Sequence, residues 1–218
     1  MITVFFVDIK EKINNTKLEQ YKQLVSPEKR EHFQGKLNIY SKLRIYAEVL
    51  LQTQICKDLK LKNHDITFVS NIFGKPSLTN YPNYYFSISH TNNAIAIAFS
   101  ENQIGIDIER IQNADLRIAQ RFYCEKEKEY IYKDPNNINE RFYEIWTKKE
   151  AYIKYIGKGL SIPLNSFDTL EKKLAEKICT SYIGNYIVST CNDSPQAPNI
   201  LTLHEQDIEL MAETILMQ

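Results

Sequence analysis

Residues 84–110 read YYFSISHTNNAIAIAFSENQIGIDIER. Three runs rich in aromatic and β-branched residues are broken by TNN and ENQ, polar triplets of the kind that close turns. The pattern predicts three consecutive strands, arranged as a meander. The third run, IGIDIER (104–110), raises a question of its own. Residues i and i+2 of a strand share a face. Asp107 and Glu109 therefore stand side by side, while Ile104, Ile106 and Ile108 turn the other way, into a core. Two neighbouring carboxylates repel unless something positive lies between them. A divalent cation answers that repulsion. An edge strand whose polar face is merely acidic is the plainer alternative.

Working outward, MITVFFVDI (1–9) is apolar and β-branched, and reads as a strand. SPEKRE (26–31) sets Ser before Pro and Glu, a helix start. Positions 39, 43, 46, 47, 50 and 51 are apolar at helical spacing, which predicts a helix over 39–51. DITFVSN (65–71) reads as a short strand, followed by turn signals in FGKPSL (73–78) and YPN (81–83). Helices are expected around 114–132 and 139–156, the second closed by the glycines of GKGLSIPL (157–164). SYIGNYIVSTC (181–191) and residues 200–203 look like strands. Strands and helices fall in separate blocks, which argues for an α+β fold.

Composition narrows the class. Lys plus Arg and Asp plus Glu each number 27, so the net charge is zero. Nucleic acid and membrane surfaces are not the expected partners of such a chain. No run approaches the length of a membrane helix, and the N-terminus lacks the basic start and apolar stretch of a leader. Cys56, Cys124, Cys179 and Cys191 are scattered, as in reduced thiols of a cytoplasmic protein.

Further segments bear on chemistry. In WTKKEAYIKYIGKGL (146–160), Glu150 and Lys154 lie four apart on one helical stripe with Trp146. They are either a solvated ion pair, or a third carboxylate for a cation beside an ammonium for a phosphate. FSISHTNN (86–93) puts Ser89 and His90 at a strand end. Adjacent strand residues face opposite ways, so they are no nucleophile–base pair; capping and phosphate binding stay open. Lys75 sits on a stiff turn between Gly74 and Pro76. RFYCEKEKEYI (121–131) offers Glu125, Glu127 and Glu129, one of which would be a general base if it faced the cation, and the spacing does not say which.

Taken in order, GKP, FSISH, GIDIE, RFY-x-x-x-E and W-x-x-KE-x-x-x-K-x-x-GKGL resemble the 4′-phosphopantetheinyl transferases of the surfactin-synthetase type, over residues 26–163. The resemblance implies a pseudo-twofold arrangement of two similar α+β halves, with the active site in the cleft between them. The halves would be 1–103, on the coenzyme A side, and 104–218, on the metal and catalytic side. The implied reaction moves the phosphopantetheine arm of coenzyme A to a serine of an acyl or peptidyl carrier protein and releases adenosine 3′,5′-bisphosphate. By the same resemblance, Asp107, Glu109 and Glu150 hold Mg²⁺, for which Mn²⁺ is an all-oxygen substitute. Lys154 contacts the pyrophosphate, and Glu127 or Glu150 is the base for the carrier serine. Lys75 and Pro76 flank the adenine, Ser89 and His90 approach the phosphates, and Lys29 and Arg44 meet the 3′-phosphate. His32 stands where relatives often carry a lysine. The expected state is a monomer, with residues 114–133 as part of the carrier-facing surface. The competing readings are a Mg²⁺-dependent nuclease, which would want a basic track, and a non-catalytic relative that binds coenzyme A or a carrier protein.

Overall fold

The computed structural model describes residues 1–33, 37–194 and 196–217; of Pro27, Glu28, His32 and Leu160 only the backbone is described. The strands are β1 (Ile2–Asp8), β2 (Phe68–Ser70), β3 (Pro76–Leu78), β4 (Tyr85–Thr91), β5 (Ala94–Ser100), β6 (Ile104–Arg110), β7 (Ile178–Ile183), β8 (Tyr186–Asn192) and β9 (Asn199–Leu203). The helices are α1 (Asn15–Lys22), α2 (Pro27–Arg30), α3 (Ile39–Leu59), α4 (Leu116–Phe122), α5 (Glu125–Tyr132), α6 (Ile138–Ile156), α7 (Lys172–Ala175) and α8 (Glu205–Leu216). The fold is α+β.

Strand parity builds the layers. On β1, Phe5 and Val7 enter one core with α3, while Ile2, Val4 and Phe6 enter a second. On β5, Ile95, Ile97 and Phe99 face α3, and Ala94, Ala96 and Ala98 face the second core. That second core also takes Ile104, Ile106 and Ile108 of β6, as the alternation in IGIDIER predicts. The far side of the β6 sheet meets α6, where Ile187 packs with Phe142 and Ile145. Helix, sheet, sheet and helix thus follow one another. Strands covered on both faces lose the polar alternation of a half-exposed sheet, which is why β1, β5 and β8 are buried almost throughout.

One topology occurs twice. β1, α3, β4 and β5 give a strand, a long helix and a hairpin, with the first strand antiparallel to the hairpin's second arm. β6, α6, β7 and β8 repeat that order and pairing. This is the pseudo-twofold arrangement of two similar halves.

The expected meander does not form. β4 and β5 make a hairpin through Asn92 and Asn93, but β6 leaves them to pair with β8. Its apolar face closes the core between the sheets instead of extending the first sheet. The helix expected over 114–132 is broken, because Tyr123 and Cys124 are extended and Cys124 starts α5 with a capping box from Glu127. Residues 199–216 return to the first sheet and its helix. β9 runs parallel to β1, and α8 lends Ile208, Ala212 and Ile215 to the α3 core.

Candidate active site

β4 and β6 are the strands at which the two sheets meet, and small hydroxyls stitch them. Ser87 Oγ accepts from the Ile106 amide at 3.1 Å, Ser89 Oγ donates to Asp107 Oδ1 at 2.7 Å, and Thr91 Oγ1 donates to Glu109 Oε2 at 2.6 Å. The alternation in FSISHT that puts Ser87, Ser89 and Thr91 on one face supplies all three. α6 covers the seam. It comes close because residue 105 is glycine: a Cβ there would lie 2.0 Å from the Ala151 carbonyl oxygen and 2.3 Å from the Tyr155 nitrogen. That approach brings Lys154 Nζ to 2.8 Å from both Asp107 Oδ1 and Ser89 Oγ.

The acidic residues are crowded. Burial, and then the Asp107 charge, push Glu109 up to about 7 against the pull of Thr91, Lys154 and a Trp146 hydrogen bond. Burial and Asp107 also raise Glu150, against Lys154. Asp107 Oδ2 is buried and has no hydrogen-bond partner among the described residues. A buried acceptor left unpaired costs about 1–3 kcal/mol. Among the described residues, no three His, Cys, Asp or Glu side chains form a ready-made metal cage, and Lys154 is the cation paired with Asp107.

Two cavities open beside the seam. One, of about 300 Å³, is walled by the turn 73–76, by Phe86, Ser87 and Ile88, and by Glu150, Ile153, Lys154 and Gly157 of the α6 end. The other, of about 280 Å³, lies between Lys29, Phe33, Arg44, Glu48 and His90, and shares Ile88 with the first. Lys29 is ion-paired with Glu48 and lies over the Phe68 ring. The Arg44 guanidinium stands 5.3 Å from the Phe33 ring centre, and among the described residues no carboxylate is within ion-pair distance of it. His90 reaches solvent at the cavity mouth; desolvation by its walls, then Lys154 and Arg44, hold the imidazole below its usual range.

Ten of the eleven site residues named from the sequence therefore gather here: Asp107, Glu109, Glu150, Lys154, Ser89, His90, Lys29, Arg44, Lys75 and Pro76. Lys75 arrives with its ammonium already engaged. It donates to the carbonyls of Lys154 at 2.6 Å, Ile104 at 3.1 Å and Tyr155 at 3.2 Å, and burial lowers it to about 8.

Glu127, the eleventh, is enclosed by protein. Its side chain has no solvent exposure and is paired with Lys149 at 2.7 Å. It also accepts from the Cys124 amide and from both the amide and hydroxyl of Thr169. Lys149 in turn donates to the Leu164 and Phe167 carbonyls. These partners tie α5 to the α6 lysine and to Thr169, and they enclose the carboxylate. Its place at the third position of α5, as the capping acid, was the signal for a structural role. Lys149, Thr91 and Ser87 were missed because a buried lysine and small strand hydroxyls look like surface residues in sequence. The His32 side chain lies outside the described residues.

A family model described as the 4′-phosphopantetheinyl transferase superfamily matches residues 103–201. The chain is 33% identical over 202 residues to 4′-phosphopantetheinyl transferase Sfp of Bacillus subtilis (strain 168), spanning 85% of this chain and 89% of that protein. It is 37% identical over 171 residues to 4′-phosphopantetheinyl transferase gsp of Aneurinibacillus migulanus, spanning 77% and 70%. With 4′-phosphopantetheinyl transferase ffp of Bacillus subtilis it shares 31% identity over 208 residues, 88% and 92% of the two chains.

Proposed function

The chain belongs to the 4′-phosphopantetheinyl transferase superfamily, and on that premise we propose that the β4–β6 seam is where it moves phosphopantetheine from coenzyme A to a carrier-protein serine. The serine oxygen attacks the phosphorus that bears the pantetheine arm, and adenosine 3′,5′-bisphosphate leaves. The observation that carries this reading is the convergence of Asp107, Glu109, Glu150 and Lys154 between two cavities.

The residues fit Mg²⁺. The donors are hard carboxylate oxygens, one of them buried and unpaired, and Glu109 and Glu150 are raised by burial and by Asp107, a crowding that added positive charge relieves. Asp107, Glu109 and Glu150 would hold the ion, which when bound offsets the charge that builds on the splitting pyrophosphate. Lys154 is the chain's own cation at this point. Its hold on Asp107 and Ser89 places the ammonium where a phosphate oxygen of the donor would replace Asp107 as its partner. Glu150, whose carboxyl has no hydrogen bond among the described residues and whose pKa is raised, is the better-placed base for the serine proton. Arg44, which has no carboxylate within ion-pair distance among the described residues, is the guanidinium for the 3′-phosphate, a dianion it grips by paired hydrogen bonds. The halves contribute unequally: coenzyme A groups from 1–103, carboxylates and Lys154 from 104 onward.

The same reading has the protein act as a cytoplasmic monomer on acyl or peptidyl carrier proteins. Among the described residues no helix is long and apolar enough to cross a membrane. The exposed faces of Phe122 and Tyr132, with Arg117 nearby in sequence, offer the mixed apolar and basic surface that an acidic carrier would meet. Glu150→Gln tests the site. Transfer to an apo carrier, followed by mass, should slow by roughly 10²–10⁴-fold with coenzyme A affinity nearly kept. Unchanged turnover would remove Glu150 from the chemistry.

A further inference from the structure

We propose that Lys75 is a positioning residue: its ammonium fastens the last turn of α6 and the turn 71–76 into one wall, and makes no contact with coenzyme A. The inference rests on the functional reading above and changes the role of one residue within it.

The last carbonyls of any helix lack intrahelical donors and carry the negative end of its dipole. At the end of α6 the carbonyls of Lys154 and Tyr155 are such groups, and Lys75 Nζ lies 2.6 and 3.2 Å from them. Its third proton goes to the Ile104 carbonyl at 3.1 Å, at the start of β6. A lysine has three N–H donors and no more. All three are spent on backbone, so none remains for a phosphate or an adenine ring.

The turn that carries Lys75 is itself fixed. Asn71 Oδ1 accepts from the amides of Phe73 and Lys75, and Asn71 Nδ2 donates to the Gly157 carbonyl at 2.7 Å. Gly157, left-handed at φ +72°, leaves room for this. A Cβ there would sit 2.8 Å from Lys75 Cδ and 3.4 Å from Asn71 Nδ2. Turn and helix end then line one cavity together. Lys154 links the clamp to the chemistry, because its carbonyl accepts from Lys75 while its ammonium rests on Asp107 and Ser89. Loosening the last turn of α6 moves that ammonium. Displacements of about 1 Å near a reacting centre cost on the order of 10²-fold in rate.

The test compares wild type, Lys75→Met, Lys75→Arg and Asn71→Ala. Three readouts are taken: transfer rate to an apo carrier, coenzyme A affinity by calorimetry, and amide hydrogen exchange over residues 153–157 without ligand. K75M should lower kcat by roughly 10–100-fold and speed exchange at the helix end by roughly tenfold, with coenzyme A affinity nearly unchanged. K75R, which keeps donors for the carbonyls, should recover most of both. N71A cuts the second tie to Gly157 and should shift kcat and exchange the same way while Lys75 stays intact, which keeps the test open if K75M fails to fold. Weakened coenzyme A binding in K75M, with exchange at 153–157 unaltered, would overturn the proposal and make Lys75 a ligand contact. Absence of transfer in the wild type would instead overturn the functional reading, and the exchange data alone would then decide the clamp.

Discussion

Glu109 is half-buried and Glu127 fully buried, and their partners give them opposite parts. Glu109 has Thr91, the Trp146 hydrogen bond and a share of Lys154, which is too little to offset burial beside Asp107, so it sits at about 7. Its folded value lies above the ordinary value near 4.5. The folded state therefore binds the extra proton, and that stability is complete below about pH 4.5 and lost as pH rises through about 7. Metal-free protein should lose on the order of 3 kcal/mol over that window from this group. Glu109→Gln should flatten the loss, as read from urea unfolding at pH 5 and pH 8 with a chelator present. Glu127 is ion-paired with the fully buried Lys149, so Glu127→Ala removes the carboxylate partner of a buried amine. The expected loss is roughly 3–5 kcal/mol of unfolding free energy, with no selective effect on kcat in whatever fraction stays folded. A selective kcat defect in a fully stable variant would restore Glu127 as a base. In sequence the two acids were separable only in part. Asp107 and Glu109 announced themselves because strand parity fixes which face a residue takes. Glu127 lay in a run of alternating Glu and Lys; its capping position is a local signal, but nothing local names Lys149 as its buried partner.

At the scale of elements, the close contact of β6 with α6 sets the site. Gly105 permits it, and the four-residue spacing of Trp146, Glu150 and Lys154 then aims one helix stripe at the carboxylates of the strand. Gly105→Ala would drive a methyl into the backbone of α6. Overpacking costs about 1–3 kcal/mol where side chains can yield, and here backbone must yield. The expected outcome is a loss of at least about 3 kcal/mol in chemical unfolding; a loss under about 1 kcal/mol would show that the helix retreats at little cost. β1, β4, β5, β6 and α6 were legible because their periodicity and closing signals agree. α3 was underestimated, ending at Leu59 and not Leu51, because its buried face past Leu51 is carried by Gln52 and Ile55 and no longer looks like an apolar stripe. α4 and α5 read as one helix because the break at Tyr123 and Cys124 contains neither glycine nor proline. Its cause is the capping carboxylate of Glu127 and the burial of Tyr123 against Phe142.

For the whole molecule, the decisive event is the handing of β6 from the first sheet to the second. Local sequence makes residues 84–110 three strands, yet only the core between the sheets, shared by Ile106 and Ile108 with Val4 and Ala96, decides which sheet the third one joins. The return of β9 and α8 to β1 and α3 was equally out of local reach, because it depends on contacts across nearly the full chain. The function was more legible than the topology, since its carriers are short motifs whose faces are set by the strand and helix they occupy. The central proposal is that the carboxylates and lysine at the β4–β6 seam transfer phosphopantetheine with the help of a divalent cation. The most direct test is the intact mass of an apo carrier protein after incubation with this protein, coenzyme A and Mg²⁺, with and without a chelator, and again with Asp107→Ala. A gain of one phosphopantetheine arm, lost both with the chelator and with D107A, is the predicted result. A gain that survives both would contradict the assignment of the seam, and no gain with any carrier despite measured coenzyme A binding would contradict the transfer itself.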